Sequence, residues 1–437
     1  MFSLYLILAA FIGLLQAKSS TGGSVLVILD NKLNRSEYSL FFGGLEDQGY
    51  SLTFRAPGDS TPAIKEYDAP NFNHIIVFAP HTKNFSSDIT PQSLVSLLEK
   101  GTNLLLALSQ KQNLVNSLAS EFSLILPPPQ TPLVSHFPER EEPATVIPII
   151  PQPNILVGSD LPPVWFSGIP VALGNNPLLF PILRAPAESL ASDATADSGA
   201  DSVLEAVDRS GEGLWAGSSL SLVTGFQTRN GARATWVGGV EPFSDDFAKK
   251  NMPSGKKPGN ARFCNDVAAW TFQEKLVLRI DAVSHHKLGG SETPEIYTTN
   301  DQIVYTAHIS KYEPATSSWV PYSGISDLQL EFTMLDPHIR ISLPPVADTP
   351  GKYSVTFRAP DRHGVFKFVI DHRRKGWSTL QSSTTIPVVP PRHDGYPRFL
   401  SAAWPYYTGA ISTSVGFLLF SLLWLAGGEE KAKTKKE

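Results

Sequence analysis

Cysteine is nearly absent from this sequence, which holds a single one, Cys264, among 437 residues. An intrachain disulfide is therefore excluded, and an apolar core must stabilise a chain of this length. The formal net charge is −5 and no basic stripe appears, which argues against a nucleic-acid-binding protein. The glycine-rich motifs GxGxxG and GxxxxGKS/T follow none of the predicted strands, so a phosphate-binding loop is not expected.

Charge is missing from residues 399–428, and residues 409–426 form the apolar centre of this stretch. About 20 apolar residues in a helix span the roughly 30 Å hydrocarbon core of a bilayer. Trp404 and Trp424 flank the span, and lysines follow it, which predicts that the C-terminus lies in the cytosol. We therefore predict a juxtamembrane linker at 393–408, a transmembrane helix at 409–427 and a cytosolic tail at 428–437.

The N-terminus carries a second apolar run, residues 1–15, with the length of a signal-peptide core. A signal peptide at residues 1–17 would place the bulk of the chain in the lumen of the secretory pathway, as a type I membrane protein. Because no basic residue precedes the run and the cleavage box is poor, a buried N-terminal helix is the alternative. N-glycosylation sequons begin at Asn34 and Asn84 and agree with a luminal location.

Strand and helix signals alternate in residues 21–275, which predicts a luminal α/β domain with a parallel, doubly wound sheet. A proline-rich segment at 127–177, with thirteen prolines, and a small, polar, acidic stretch at 186–202, predicted to be a mobile loop, interrupt it. The predicted strands lie at residues 24–29, 52–54, 74–78, 103–108, 155–157, 220–223 and 234–237, and the predicted helices at 36–48, 90–100, 112–121 and 265–275.

Residues 276–392 change in character, because short β-branched and aromatic runs recur there without helical periodicity. This pattern predicts an antiparallel β-sandwich of the immunoglobulin-like type. The predicted strands lie at residues 276–280, 302–309, 328–334, 353–358, 364–370 and 384–389.

A doubly wound sheet binds its ligands at the carboxyl ends of its strands. Asp30 and Asn31 end the first strand, so they are the candidates for a glycan or ligand contact, with a turn or capping role as the alternative. The pattern of elements resembles class I glutamine amidotransferase-like domains. However, the chain after the strand at 103–108 begins Ser109-Gln110 and lacks the nucleophile elbow of such enzymes.

Two further candidates for chemistry are weak. Cys264 lies at a predicted helix start, where a thiol pKa is lowered, but a buried cysteine that acts as a small hydrophobic residue is commoner. His285 and His286 lie in a predicted loop and have no partner at metal-ligand spacing. The sequence therefore predicts no catalytic residue, no metal site and no cofactor.

Small and hydroxyl-bearing residues occupy one side of the predicted membrane helix: Gly409, Ser412, Thr413 and Gly416. Small residues four positions apart allow two helices to approach closely, and hydroxyl groups can bond across the interface. We therefore expect this helix to pack against other membrane helices, the alternative being a solitary anchor.

Four stretches, residues 25–31, 236–247, 355–375 and 396–407, resemble the family of the 48 kDa, or beta, subunit of the endoplasmic-reticulum oligosaccharyltransferase. The resemblance covers almost the whole chain. It implies a non-catalytic subunit of a complex that transfers an oligosaccharide from dolichyl pyrophosphate to asparagine in Asn-x-Ser/Thr. The implied partners are the other subunits, including a multi-spanning catalytic one.

The end of the chain also fits this resemblance. Lys435 and Lys433 stand third and fifth from the C-terminus, where family members carry a dilysine retrieval signal, which implies residence in the endoplasmic-reticulum membrane. Two other functions stay open at this point. One is a luminal hydrolase or amidotransferase-like enzyme, and the other is a glycoprotein cargo receptor.

Overall fold

The computed structural model describes residues 18–137, 143–191, 215–253, 255–395 and 401–427. The predicted signal peptide at 1–17, most of the predicted loop at 186–202, and the tail lysines Lys433 and Lys435 lie outside these residues.

The first unit combines a large sheet, several two-stranded ribbons and helices. Its strands are β1 (Ser24–Leu29), β2 (Ser51–Arg55), β3 (Lys65–Glu66), β4 (Ala69–Pro70), β5 (His74–Phe78), β6 (Asn103–Ala107), β7 (Leu124–Ile125), β8 (Leu133–Ser135), β9 (Ile147–Ile149), β10 (Val164–Phe166), β11 (Ala172–Leu173), β12 (Leu179–Arg184), β13 (Ser189–Ala191), β14 (Ser221–Gln227) and β15 (Arg233–Val237). Its helices are α1 (Ser39–Asp47), α2 (Pro91–Glu99), α3 (Leu114–Glu121), α4 (Asp245–Lys249) and α5 (Asn260–Thr271).

Seven strands form the main sheet in the order β12-β14-β15-β6-β5-β1-β2. The strands from β2 to β15 run parallel, whereas β14 and β12 are antiparallel additions at one edge. Helices α1 and α5 pack on one face and α2 and α3 on the other, which is why β5 and β6 are buried along their whole length. The prediction of a parallel sheet is confirmed for its centre.

Local signals fix the ends of helix α2. The Thr90 hydroxyl accepts a hydrogen bond from the backbone N–H of Ser93, whose side chain accepts one from the N–H of Thr90, so the two residues form a capping box. Pro91 occupies the first turn, where a missing N–H costs nothing. Gly101 ends the helix at φ +96°, a conformation that favours glycine.

Several predicted elements differ from the structure. Residues 155–157 bend instead of forming a strand, because the Asn154 side chain accepts the N–H groups of Leu156 and Val157, both at 2.9 Å. Helix α5 begins at Asn260, five residues before the predicted start. Strand β13 pairs with β8 inside the predicted loop at 186–202. The membrane helix begins at Trp404, inside the predicted linker.

The second unit is a β-sandwich. Its strands are β16 (Leu278–Lys287), β17 (Tyr297–Thr298), β18 (Gln302–Glu313), β19 (Ser318–Pro321), β20 (Gln329–Thr333), β21 (Pro337–Ser342), β22 (Lys352–Arg358), β23 (Gly364–His372) and β24 (Leu380–Val389). One sheet joins β16, β18, β19 and β22, and the other has the order β17-β24-β23-β20-β21. The two sheets share one apolar core, in which the rings of Tyr305 and Phe368 lie 5.1 Å apart.

Buried hydrogen bonds connect the two units. The indole N–H of Trp270, at the end of α5, donates to the carbonyl of Gly376 at 2.8 Å. The Tyr312 hydroxyl donates to the carbonyl of Ser19 at 3.3 Å, so the first described residues lie against the sandwich.

Helix α6 (Trp404–Ala426) follows the sandwich and contains no charged residue. Its 23 residues correspond to a length of about 35 Å, enough to cross a bilayer. An 18-residue window of this helical segment has a mean hydropathy of 1.8, and none of that window is buried against the rest of the chain. It is the one helix in the described part of the chain that is long and apolar enough to span a membrane.

Candidate functional site

Strand order reverses between β1 and β5, which makes the carboxyl ends of these strands the expected ligand crevice. Asp30 follows β1 at this point and is 4% exposed. One of its carboxylate oxygens accepts the N–H of Lys32 at 3.1 Å, and the other accepts the N–H of His81 at 2.8 Å and the hydroxyl of Thr82 at 3.1 Å. Asp30 therefore ties the turn after β1 to the turn after β5, and these contacts occupy both of its oxygens.

Asn31, the other candidate in this turn, is exposed. His81 and Thr82 are not among the residues predicted from the sequence, although they follow the strand predicted at 74–78. Applying the same strand-end rule to that strand would have identified them. The structure therefore brings Asp30, His81 and Thr82 together and leaves Asn31 open to solvent.

The turn after β6 begins at Ser109, where the sequence lacks a nucleophile elbow. Ser109 is buried there, and its hydroxyl donates to the carbonyl of Pro80 at 2.5 Å. The Asn116 side chain accepts the Ser109 N–H at 3.1 Å and donates to the Ser109 carbonyl at 2.8 Å. These bonds hold Ser109 in a closed, fully paired turn.

The carboxyl end of β15 is covered by residues 167–169. A Cβ atom on Gly238 would lie 2.1 Å from the carbonyl oxygen of Ile169, so glycine is needed for the two backbones to approach. The Ile169 N–H donates to the carbonyl of Gly238 at 2.8 Å. Glu241 lies just beyond, where desolvation by the surrounding chain raises the pKa of its carboxyl although part of the side chain stays exposed.

Cys264 lies in the second turn of α5 and is 3% exposed. Its thiol donates to the carbonyl of Pro242 at 3.3 Å, and burial raises its pKa well above the usual range. A thiol with a raised pKa is a poor nucleophile at neutral pH. Cys264 therefore fits the role of a small, buried hydrophobic residue better than that of a reactive thiol.

The prediction of a loop at His285 and His286 is wrong, because both lie in strand β16 and pair with β18. Adjacent residues of a strand point to opposite faces, so the two rings cannot converge. His285 is buried beside Phe368 and its Nδ1 lies 3.0 Å from the Tyr297 hydroxyl. Within the described ranges, no group of three or more His, Cys, Asp or Glu residues is placed to hold a metal ion.

Both predicted glycosylation sites are on the surface. Asn34 is exposed before the first short 3-10 turn, and its amide donates to Glu37 at 2.9 Å. Asn84 is exposed in the loop after β5. Both side chains are therefore open to solvent, as an attached glycan requires.

On helix α6, Gly409, Thr413 and Gly416 follow one another at spacings of four and three residues and so lie on one side. The hydroxyls of Ser412 and Thr413 donate to the carbonyl of Gly409 at 2.9 and 2.7 Å. These bonds satisfy the hydroxyl hydrogens inside the helix, as an apolar environment requires. This side of α6 therefore has little bulk, and its hydroxyl oxygens can still accept hydrogen bonds from a partner helix.

Comparisons with known proteins identify the family. The family described as the OST48 N-terminal domain matches residues 16–274, and the OST48 middle domain matches residues 285–428. Three relatives carry the name dolichyl-diphosphooligosaccharide–protein glycosyltransferase 48 kDa subunit. They come from Danio rerio (33% identical, covering 92% of this chain and 91% of the relative), Caenorhabditis elegans (31%, 99% and 97%) and Arabidopsis thaliana (29%, 93% and 93%).

Among solved structures, a ThuA-like protein from Parabacteroides merdae aligns with 58% of this chain and 90% of its own, at 10% identity. Its TM-score of 0.29 is too low to support an argument about the fold. The family matches, by contrast, extend over both units and helix α6. The chain belongs to the family of the 48 kDa subunit of dolichyl-diphosphooligosaccharide–protein glycosyltransferase.

Proposed function

We propose that this protein is a subunit of the oligosaccharyltransferase complex of the endoplasmic-reticulum membrane. In this role it supports transfer of the dolichyl-pyrophosphate-linked oligosaccharide to asparagine in Asn-x-Ser/Thr. One observation carries the proposal: the chain aligns over 92% of its length with a relative named as the 48 kDa subunit of that glycosyltransferase. The candidate membrane span of α6 fits a membrane-bound subunit.

We further propose that the subunit is not itself catalytic and that the active site belongs to a multi-spanning partner. Three features of the described residues support this. Ser109 is fully paired in the position of a nucleophile, Cys264 is a buried thiol with a raised pKa, and Asp30 has both carboxylate oxygens in use. In addition, a single helix cannot enclose a cavity for a lipid-linked donor.

The proposed organisation follows the chain from lumen to cytosol. A signal peptide at 1–17 precedes a luminal α/β domain at 21–275, of amidotransferase-like ancestry without the nucleophile. An immunoglobulin-like sandwich at 276–392 follows it. The linker at 393–408, the transmembrane helix at 409–427 and the cytosolic tail at 428–437 complete the chain, and α6 extends this helix back to Trp404. The helices on both faces of the sheet and the two-sheet sandwich support these assignments.

Two sites are proposed for the subunit's contacts. The side of α6 with Gly409, Ser412, Thr413 and Gly416 packs against helices of partner subunits. The carboxyl edge of the sheet offers a glycan or nascent-chain contact, and there Asn31 is better placed than Asp30, because Asn31 is exposed and Asp30 is occupied by internal bonds.

Depletion of the protein tests the proposed function. We expect sequons on many secreted glycoproteins to be left unoccupied, as read by mass spectrometry, and re-expression of the wild-type chain to restore them. Purification from microsomes in mild detergent should recover the protein with other membrane subunits. Recovery as a lone monomer, with normal sequon occupancy after depletion, would refute the proposal.

The tail is tested separately. Lys433 and Lys435 are proposed to act as a retrieval signal, so replacing both with alanine should allow the unassembled chain to acquire glycan modifications of later compartments. Replacing Lys431 and Lys436 instead serves as the matched control, because it removes the same charge from outside the signal. Equal retention of both variants would contradict the assignment.

A further inference from the structure

The β-sandwich carries a cleft of about 370 Å³ beside its junction with the first unit. Two loops of the sandwich form most of it, residues 322–327 and 372–377, and Ile155 of the first unit closes one side. Gly376 adopts φ +85°, and a Cβ atom there would lie 2.9 Å from a methyl carbon of Ile155. The cleft wall therefore depends on the packing of the two units against each other.

Polar groups converge on one wall of this cleft. Asp327 accepts from the Nε2 of His372 at 3.1 Å and from the Nε of Arg374 at 2.5 Å. His372 is buried, whereas the side chains of Asp327 and Arg374 are 47% and 54% exposed. Burial opposes ionisation of Asp327, but the hydrogen bonds from His372 and Arg374 outweigh it and lower the pKa of the carboxyl. The wall therefore presents an ionised carboxylate and a planar guanidinium, both held in place and both still open to a ligand.

Aromatic side chains form another part of the lining. The rings of Tyr322 and Trp377 lie 5.8 Å apart at an interplanar angle of 30°, and both are half-buried. The backbone N–H of Trp377 donates to the carbonyl of Arg374 at 3.1 Å, which fixes the ring next to the charged wall. Aromatic rings that are fixed and partly exposed offer apolar area with little loss of entropy on binding.

We propose that this cleft binds a neutral saccharide. A sugar ring has an apolar C–H face that packs on an aromatic ring and a rim of hydroxyls that bond to carboxylate and guanidinium groups, which are the two kinds of surface found here. Asp327, Arg374 and Lys375 all line the cleft, so the hydroxyls of a sugar find both a carboxylate acceptor and cationic donors there. The cleft falls within the size range of small-molecule sites.

The choice of a saccharide as ligand rests on the proposed function, because the complex transfers an oligosaccharide. The site itself is a new one, on the sandwich instead of the carboxyl edge of the sheet. Two sources could supply such a ligand, the lipid-linked donor or the glycan of a glycoprotein product. Both the donor and the product glycan carry neutral hexose residues, so the cleft could bind either of them. A short Asn-Ala-Thr peptide is the competing kind of ligand.

The test uses the complex purified in mild detergent, or the full chain if it is recovered alone. Saturation-transfer NMR and tryptophan fluorescence measure binding of a neutral oligosaccharide released from a glycoprotein, of the same oligosaccharide carrying a pyrophosphate, and of the peptide. Asp327→Asn and Trp377→Ala should each weaken saccharide binding about tenfold or more, and Trp377→Tyr should retain most of it. Asp371→Asn is the control and should bind like the wild type, because Asp371 lies in β23 beside His372, pairs with Arg373 and is not among the residues that line the cleft.

The comparison between the two saccharides separates the sources, since only a site for the donor would prefer the pyrophosphate form. Melting temperatures of all variants show whether they fold. If Trp377→Ala fails to fold, the near-isosteric Asp327→Asn still tests the cleft. Absence of saccharide binding up to about 10 mM would overturn the inference. Binding that ignores the cleft variants, or binding of the peptide alone, would also overturn it. Loss of saccharide binding in cleft variants that still assemble supports the cleft as the binding site. Failure of the wild-type chain to assemble with other subunits would instead count against the proposed function.

Discussion

Arg233 donates a hydrogen bond from its guanidinium to the backbone carbonyl of Trp270 at 2.7 Å and lies 4.8 Å from the centre of the same residue's indole ring. The guanidinium is fully buried, and no acidic side chain among the described residues forms an ion pair with it. It instead donates to two further carbonyls, those of Lys275 at 2.7 Å and Leu276 at 2.9 Å. Since these carbonyls end α5 and begin the connection to the sandwich, Arg233 holds the strand, the helix end and the junction together.

Replacement of Arg233 by lysine should therefore destabilise the protein. An ammonium group cannot reproduce the planar fork that reaches three carbonyls, so we expect a loss of about 3 kcal/mol in the free energy of unfolding. The midpoint of urea unfolding of the full chain in detergent measures it. Arg229→Lys, at an exposed position in the turn between β14 and β15, should change stability by less than about 0.5 kcal/mol. Equal effects of the two substitutions would show that the buried fork contributes nothing.

His74 makes the stability of the first unit depend on pH. The ring is fully buried, its Nε2 donates to the carbonyl of Gly22 at 2.9 Å, and its Nδ1 accepts from the amide of Asn103 at 3.1 Å. Burial lowers the pKa of His74 from 6.5 to about 4. Between the folded-state pKa of about 4 and the unfolded-state pKa of 6.5, the unfolded chain binds a proton that the folded chain does not. The stability of the folded protein therefore falls as the pH drops through this range.

Between about pH 7.5 and pH 5 this group should cost the wild type roughly 2 kcal/mol. His74→Gln removes the titration, so the variant should lose less stability over the same range, whatever its stability at neutral pH. His338→Gln, at an exposed site, should keep the slope of the wild type. Unfolding midpoints measured across the range give the three slopes, and parallel slopes for wild type and His74→Gln would contradict the assignment.

Cys264 should be unreactive in the folded protein, because its thiol is buried and its pKa is raised. Iodoacetamide should modify it, as seen by mass spectrometry, only after unfolding in urea. Cys264→Ala should cost about 1 kcal/mol of stability through lost packing and leave sequon occupancy unchanged. A cysteine introduced at exposed Ser218 in that variant is the control for reagent access. Rapid modification of native Cys264, or loss of glycosylation in Cys264→Ala, would revive the reading of Cys264 as a nucleophile.

The centre of the first unit could be predicted because its signals are local. Strands β1 and β5 begin and end at the predicted residues, since a continuous apolar run is bounded on each side by polar or turn residues. The cap at Thr90 and the stop at Gly101 likewise fixed α2. In these cases the sequence neighbours of a residue determine its conformation.

Other features depend on partners distant in the chain. The direction of β14 is set by its pairing with β15, and nothing in the sequence of either strand states it. Edge strands β19 and β21 are largely exposed, so they lack the apolar alternation that marks a strand. The bonds from His81 and Thr82 to Asp30 cross about fifty residues of sequence, which is why Asp30 resembled an open site when considered alone.

The membrane helix offers the most direct test of assembly. Gly409 and Gly416 lie on the side with Thr413, where the bulk of the helix is smallest. Replacing both glycines with isoleucine should prevent close approach of a partner helix and lower the fraction of the chain recovered with other subunits by about tenfold, or ~1.4 kcal/mol.

Ala410→Ile with Ser414→Ile is the matched control, because it adds bulk to the same turns on a different side of the helix. Quantitative immunoblotting of complexes purified in mild detergent measures both variants at equal expression. The control should assemble like the wild type, since a lipid-facing side tolerates bulk. If both double variants assembled equally well, or if both failed equally, the small-residue side would have no role in recognition and α6 would be an anchor alone.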